Sequence, residues 1–119
     1  MRIKMFETFN SEDYYTKISA RDFIQIPIID ITDRTVSKLV GLGLDVVKRE
    51  SPPVMTSDGI RRIESAYGMI NDDLIAIMEC DDEYFLVQPP GGGFYKCDQW
   101  DGLVRFLKDN RFIRKYSYE

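Results

Sequence analysis

Leu74-Ile75-Ala76-Ile77-Met78-Glu79, then Cys80-Asp81-Asp82-Glu83, then Tyr84-Phe85-Leu86-Val87-Gln88 is the stretch on which the fold turns. The first run is the most apolar in the chain, which predicts a strand covered on both faces and hence a central one. Asp81-Asp82 supplies turn chemistry. The second run is aromatic and β-branched, the composition that suits a half-buried pleated surface. Two strands joined by a tight acidic turn predict an antiparallel hairpin.

The meander extends from there in both directions. Upstream, Ile60 to Ile70 reads as one strand, interrupted near Gly68, and Asn71-Asp72-Asp73 turns it into the central strand. Downstream, Pro89-Pro90-Gly91-Gly92-Gly93 is a loop and Phe94 to Cys97 a last short strand. Asp98 then caps a helix in which Trp100, Leu103, Val104 and Leu107 recur at i, i+3, i+4 and i+7. Asp98 and Asp101 read as a cap and its third-position partner rather than as an acid/base pair.

The first half is helical in signal. Asn10-Ser11-Glu12-Asp13 predicts a helix over about Ser11 to Ile18, with Phe9 and Tyr14 placed as a hydrophobic staple. Ser19 opens a short helical turn through Phe23 to Ile26, ended by Pro27. Ile28 to Ile31 is a short strand or an extended connector. Thr32 or Asp33 caps a further helix with Val36, Leu39 and Val40 on one face, closed by Gly41 and Gly43. Leu44 to Arg49 alternates as a strand does, with helix to Arg49 as the alternative. Ser51-Pro52-Pro53 and Ser57-Asp58-Gly59 break the chain. The expected fold is α+β, one domain over 1–119, with N-terminal helices and an antiparallel meander of three to five strands under a C-terminal helix.

Composition narrows the function classes. The chain has 119 residues, 44% of them hydrophobic, enough for one core. No apolar run approaches the roughly 20 residues of a membrane helix, and Met1 to Glu7 carries no secretory apolar run. A cytoplasmic protein is expected. Cys80 and Cys97 are too few for a disulfide framework and lack metal-ligand spacing, so each is read as a small, half-buried residue at a strand end. Sixteen basic against twenty acidic residues give a net charge of −4, which disfavours nucleic acid as a partner. The chain has no histidine. That removes the commonest general base and the His-paired nucleophiles, and no cofactor or metal is expected.

The groups with chemical potential each have a plain alternative. Glu79, Asp81, Asp82 and Glu83 suit a hard cation or a basic partner, yet they lack calcium-loop spacing and read as a solvated turn. Gly91, Gly92 and Gly93, with Arg61 and Arg62, suit an anionic ligand such as a nucleotide, although the loop joins two strands and lacks a phosphate-loop lysine. Arg111, Phe112, Arg114, Lys115, Tyr116 and Tyr118 interleave charge and rings, as do Trp100, Tyr95, Phe94 and Tyr84 without the charge; both sets read first as packing. A metal hydrolase would need the distant Glu64, Asp73 and Asp98 to converge.

The opening Met1-Arg2-Ile3-Lys4-Met5-Phe6-Glu7-Thr8-Phe9-Asn10 resembles the starts of small proteins of large tailed bacteriophages. The segments Asp82-Glu83-Tyr84-Phe85-Leu86-Val87 and Tyr95-Lys96-Cys97-Asp98-Gln99-Trp100-Asp101-Gly102-Leu103 are similar to a pattern in uncharacterised accessory proteins of such phages, with Tyr84 where that pattern has tryptophan. The resemblance implies phage origin and the host-cell cytoplasm, and carries over no activity and no site residue. The resulting expectation is a non-enzymatic binding protein that acts on a host factor or host defence protein by occlusion. It would dock through Asp81, Asp82 and Glu83 on a basic surface of a host or phage protein. The alternative is a protein that sequesters a nucleotide or signalling molecule through Arg61, Arg62 and Gly91 to Gly93. A homodimer through an exposed strand edge is possible on either reading.

Overall fold

The computed structural model describes residues 14–113, without the side chain of Asp82. Nine strands and three helices follow in order: β1 (Tyr15–Ile18), α1 (Ala20–Phe23), β2 (Ile28–Ile29), α2 (Asp33–Gly41), β3 (Val46–Glu50), β4 (Val54–Thr56), β5 (Gly59–Arg61), β6 (Glu64–Ile70), β7 (Asp73–Cys80), β8 (Tyr84–Gln88), β9 (Phe94–Asp98) and α3 (Gln99–Asp109). The class is α+β. The main sheet is antiparallel with order β1-β9-β8-β7-β6-β3, and β4 and β5 form a separate hairpin. β2 pairs with β7 at Glu79 and Cys80, beyond the point where the β6 ladder ends at Ile77.

β7 is central, as its composition predicts. Its side chains alternate between two cores. Ile75 and Ile77 point into the helix-covered core with Phe85, Val87, Cys97, Leu39, Leu103, Phe106 and Leu107. Met78 and Cys80 point the other way, into a second core with Phe23, Ile28, Ile63 and Leu86. The α2 and α3 stripes cover the first face. Of the three apolar residues expected on α2, Leu39 is buried and Val36 half-buried, whereas Val40 is exposed. Phe106, outside the stripe read on α3, is fully buried and meets Tyr15, Tyr95 and Phe112 ring to ring.

Local chemistry sets the ends. Thr32 caps α2 by accepting from the Thr35 N–H, and Glu79 Oε1 accepts from the Thr32 N–H at 3.0 Å. Ser19 caps α1 in the same way through Asp22. Asp98 stands at the N-cap of α3, yet its carboxylate makes no cap hydrogen bond, contrary to the cap reading. Asn71 and Asp72, at φ 53° and 70°, form a two-residue turn that matches the twist of β6 and β7. No helix among the described residues is long and apolar enough to cross a membrane.

Three expectations are corrected. Residues 15–18, expected to end a helix begun at Ser11, form β1, paired with Phe94 to Cys97 of β9; residues 11–13 lie outside the described part. Tertiary pairing overrides the local helix signal there. The sheet exceeds the expected three to five strands because β1, β2 and β3 join it. The break in the 60–70 run falls at 62–63, where β5 ends and β6 begins, and not at Gly68.

Gly68 has another reason. A Cβ there would stand 2.5 Å from the Asp45 carbonyl oxygen and 2.8 Å from Val46 Cγ1, so β3 closes on β6 only over a glycine. In urea unfolding, Gly68→Ala is expected to cost about 1–3 kcal/mol by overpacking. Ile77→Ala, a cavity at a fully buried site, is expected to cost about 2–5 kcal/mol. A Gly68→Ala protein as stable as the parent would contradict the close approach.

Candidate functional site

The second face of the sheet is covered over only part of its width. α1 and the β4–β5 hairpin pack on Met78, Cys80 and Leu86, and β2, beside β7 in the sheet, adds Ile28 to the same core. Toward β3 the cover stops, and the alternation of β3, β6 and β7 leaves Val47, Tyr67, Met69 and Leu74 facing outward. Val47 is 49%, Met69 58% and Leu74 54% exposed. With Pro52 and Arg49 they line a groove of about 540 Å³. Pro52, Tyr67 and Leu74 also line a second cavity of about 300 Å³, which runs under the hairpin to Val54, Ile63, Met78, Phe94 and Phe23. Groove and cavity therefore share a wall.

Tyr67 sits at this junction. Burial raises its phenol pKa above the ordinary value, opposed by the neighbouring hydroxyls of Ser65 and Ser51. Ser51 Oγ accepts from the Ile63 N–H at 3.0 Å and donates to the Pro52 carbonyl at 2.8 Å, which ties the hairpin's entry and exit together. Stacked Phe23 and Phe94, 4.3 Å between centroids, close the far end. The arrangement can hold apolar groups, with Asp45, Arg49 and Glu50 at the rim of the groove.

The residues singled out in the sequence are dispersed. Asp81 and Glu83 are exposed in a tight 3₁₀ turn over Asp81–Glu83, with the Asp81 N–H donating to the Pro27 carbonyl. Glu79, in the same acidic run, serves the α2 N-terminus. Arg61 Nη2 donates to the Ile28 carbonyl at 2.5 Å and its Nε is buried without a partner among the described residues, so this arginine ties the β4–β5 hairpin to β2. Arg62 is exposed. Gly91, Gly92 and Gly93 all have positive φ, 94°, 96° and 86°, which accounts for three consecutive glycines as backbone geometry. Neither the groove nor the cavity is lined by Arg61, Arg62 or these glycines.

The other constellations resolve similarly. Asp73 and Asp98 lie toward opposite ends of the sheet, and Glu64 pairs with Lys48 at 3.4 Å. Among the described residues no group of three His, Cys, Asp or Glu is placed to hold a metal. The four rings read first as packing do pack, each on a different partner: Trp100 edge-on to Phe85, Tyr95 on Phe106, Phe94 stacked on Phe23, and Tyr84 under Lys96. Of the basic-aromatic tail, Phe112 packs on Phe106; residues 114–118 lie outside the described part. What the sequence reading missed is the groove. Its signal was Met69 and Leu74 flanking a turn, apolar residues where a hairpin end ordinarily turns polar.

Both thiols are packed. Burial pushes Cys80 from the ordinary 9.0 up to about 12 and raises Cys97 further. A raised folded-state pKa means that the native state holds its proton longer than the unfolded chain. Stability from these groups is thus full below pH 9.0 and falls as pH rises toward about 12, with Tyr67 acting in the same direction. Urea midpoints measured across that window are expected to decline, and a thiol reagent at neutral pH to label the native protein far more slowly than the unfolded one. Rapid labelling of both cysteines in the native state would contradict the packing. Comparison with protein-family models, curated proteins and solved structures finds no match to this chain, so the reading of the site stands on its geometry.

Proposed function

We propose that this chain is a non-catalytic binding protein that occludes a surface of a partner protein, and that its working surface is the open groove of the β3–β6–β7 corner. One observation carries the reading: Val47, Met69 and Leu74 are each about half or more exposed around one concavity. Isolated surface hydrophobics are ordinary, whereas several around a groove with a charged rim mark a contact site. Asp45, Arg49 and Glu50 form that rim. The occupant is one or two large apolar side chains of the partner, held as buried anchors are held in protein interfaces. The resemblance to phage accessory proteins supports a host factor as the partner and the host-cell cytoplasm as the place. The acidic turn is the less favoured docking surface, because Asp81 and Glu83 stand exposed with no concavity beside them on the face just described.

A second reading is favoured by the 300 Å³ cavity. Its walls are apolar except for Ser51, Ser65, Tyr67 and Gln88, a lining that suits a small, largely apolar ligand with one hydrogen-bonding end. Such a ligand differs from the nucleotide that Arg61, Arg62 and the glycine loop would take.

The test compares variants in affinity capture from host-cell lysate. A stoichiometric protein partner should be recovered by the parent and by Glu83→Lys, and lost with Met69→Asp combined with Leu74→Asp. Each groove substitution is expected to weaken binding about thirtyfold or more, the scale of an interface anchor. Loss with Glu83→Lys and retention by the groove variant would overturn the assignment in favour of the acidic turn. A small molecule released on denaturation, with no protein partner, would establish the second reading instead.

A further inference from the structure

β3 ends the sheet: it pairs with β6 on one side and with no other strand of the described residues. Its ladder runs from Val46↔Gly68 to Glu50↔Glu64 one residue to one, without a bulge. The Ser51 N–H continues the ladder by donating to the Ile63 carbonyl. Hydrogen-bonding direction alternates along a strand, so Ser51, Arg49 and Val47 bond inward to β6. The N–H and C=O groups of Val46, Lys48 and Glu50 therefore point outward from the sheet edge. Free edges are normally blunted by proline, a bulge or an exposed lysine. Here there is no proline between Val46 and Glu50, and Lys48 is held by Asp33 at 3.2 Å and Glu64 at 3.4 Å on the helix side.

Three exposed side chains alternate on the opposite side: Asp45, Val47 and Arg49. Among the described residues neither Asp45 nor Arg49 is in an ion pair. The order acid, apolar, base at spacing two is self-complementary. If two copies of β3 meet antiparallel with Val47 on the twofold axis, Val47 faces Val47 of the second copy. Asp45 then faces Arg49 on both sides, and opposite charges directly across a ladder are favourable. That register makes Val46 and Lys48 of opposite copies a hydrogen-bonded pair, matching the groups that point outward, and leaves Val47 on a non-hydrogen-bonded pair, where side chains come closest. Neighbouring registers fail. Centring on Lys48 opposes two lysines and sets Val47 against Arg49; centring on Arg49 opposes two arginines; centring on Val46 sets Val47 against Asp45.

We propose that the chain forms a homodimer by β3–β3 pairing centred on Val47, which joins the two sheets into one continuous antiparallel sheet. The occupant of the edge is a second copy of this chain, because the charge pattern of Asp45, Val47 and Arg49 is its own complement. The edge shares Val47, Asp45 and Arg49 with the groove, whereas Met69 and Leu74 belong to the groove alone, so dimerisation and partner capture are separated by variants at Met69 and Leu74.

Val47→Cys tests it. On a non-hydrogen-bonded pair the two Cα atoms lie about 4.5 Å apart, within the roughly 4.4–6.8 Å that a disulfide spans. In a glutathione redox buffer, Val47→Cys is expected to yield at least about tenfold more covalent dimer than Met69→Cys, while the packed Cys80 and Cys97 stay reduced. Sedimentation equilibrium gives the second measurement. Asp45→Arg and Arg49→Asp are each expected to raise the dimer dissociation constant about tenfold, two cross-strand pairs being lost per dimer, and the double exchange to restore it. Covalent dimer at the control level, a parent that stays monomeric to about 1 mM, or a double exchange that does not restore association would each overturn the proposal.

Discussion

The fold depends on the alternation of side chains along β7. Six consecutive positions, Ile75 to Cys80, place Ile75 and Ile77 against the helices and Ala76, Met78 and Cys80 against the opposite face. A strand between two cores must be flanked by strands on both sides and covered on both faces, since its backbone groups have no access to water. β6 and β8 meet the first demand. The second is met by unequal means: two amphipathic helices on one side, and on the other a patchwork of one helical turn and a hairpin, with Ile28 added from β2 beside β7.

That inequality produces the groove. α2 and α3 span the helix face through Leu39, Leu103, Phe106 and Leu107. The patchwork is anchored by Arg61 on the Ile28 carbonyl and by Ser51 on Ile63 and Pro52, and it reaches only as far as Pro52. Beyond Pro52 the strands continue to alternate, so Val47, Met69 and Leu74 keep apolar positions that nothing described covers. A ladder cannot change the face of one residue without moving all of its neighbours.

Much of this was legible in the sequence because it is local. The turn chemistry of Asn71-Asp72 and Asp81-Asp82, the composition of β7 and β8, and the caps Ser19 and Thr32 act within a few residues. What was not legible is long-range. Tyr15 to Ile18 follows a good helix-start signal, and only its pairing with β9 makes it a strand. Gly68 looks like a strand breaker until the Asp45 carbonyl is brought beside it. Arg61 looks like a ligand residue until Ile28 supplies its acceptor. The acidic run Glu79 to Glu83 looks like one group, yet Glu79 is committed to α2 while Asp81 and Glu83 face solvent. The groove was least visible, because it is defined by where a cover ends.

The central claim is that the sheet is covered on its second face at Met78 and open at Met69. Methionine methyl resonances read in the presence of a soluble gadolinium chelate test it most directly. The account predicts strong broadening of Met69, comparable with exposed Met55, and little effect on Met78, at 58%, 50% and 7% exposure. A Met69 methyl as protected as that of Met78 in the isolated protein would contradict the open face and remove the groove as a binding surface.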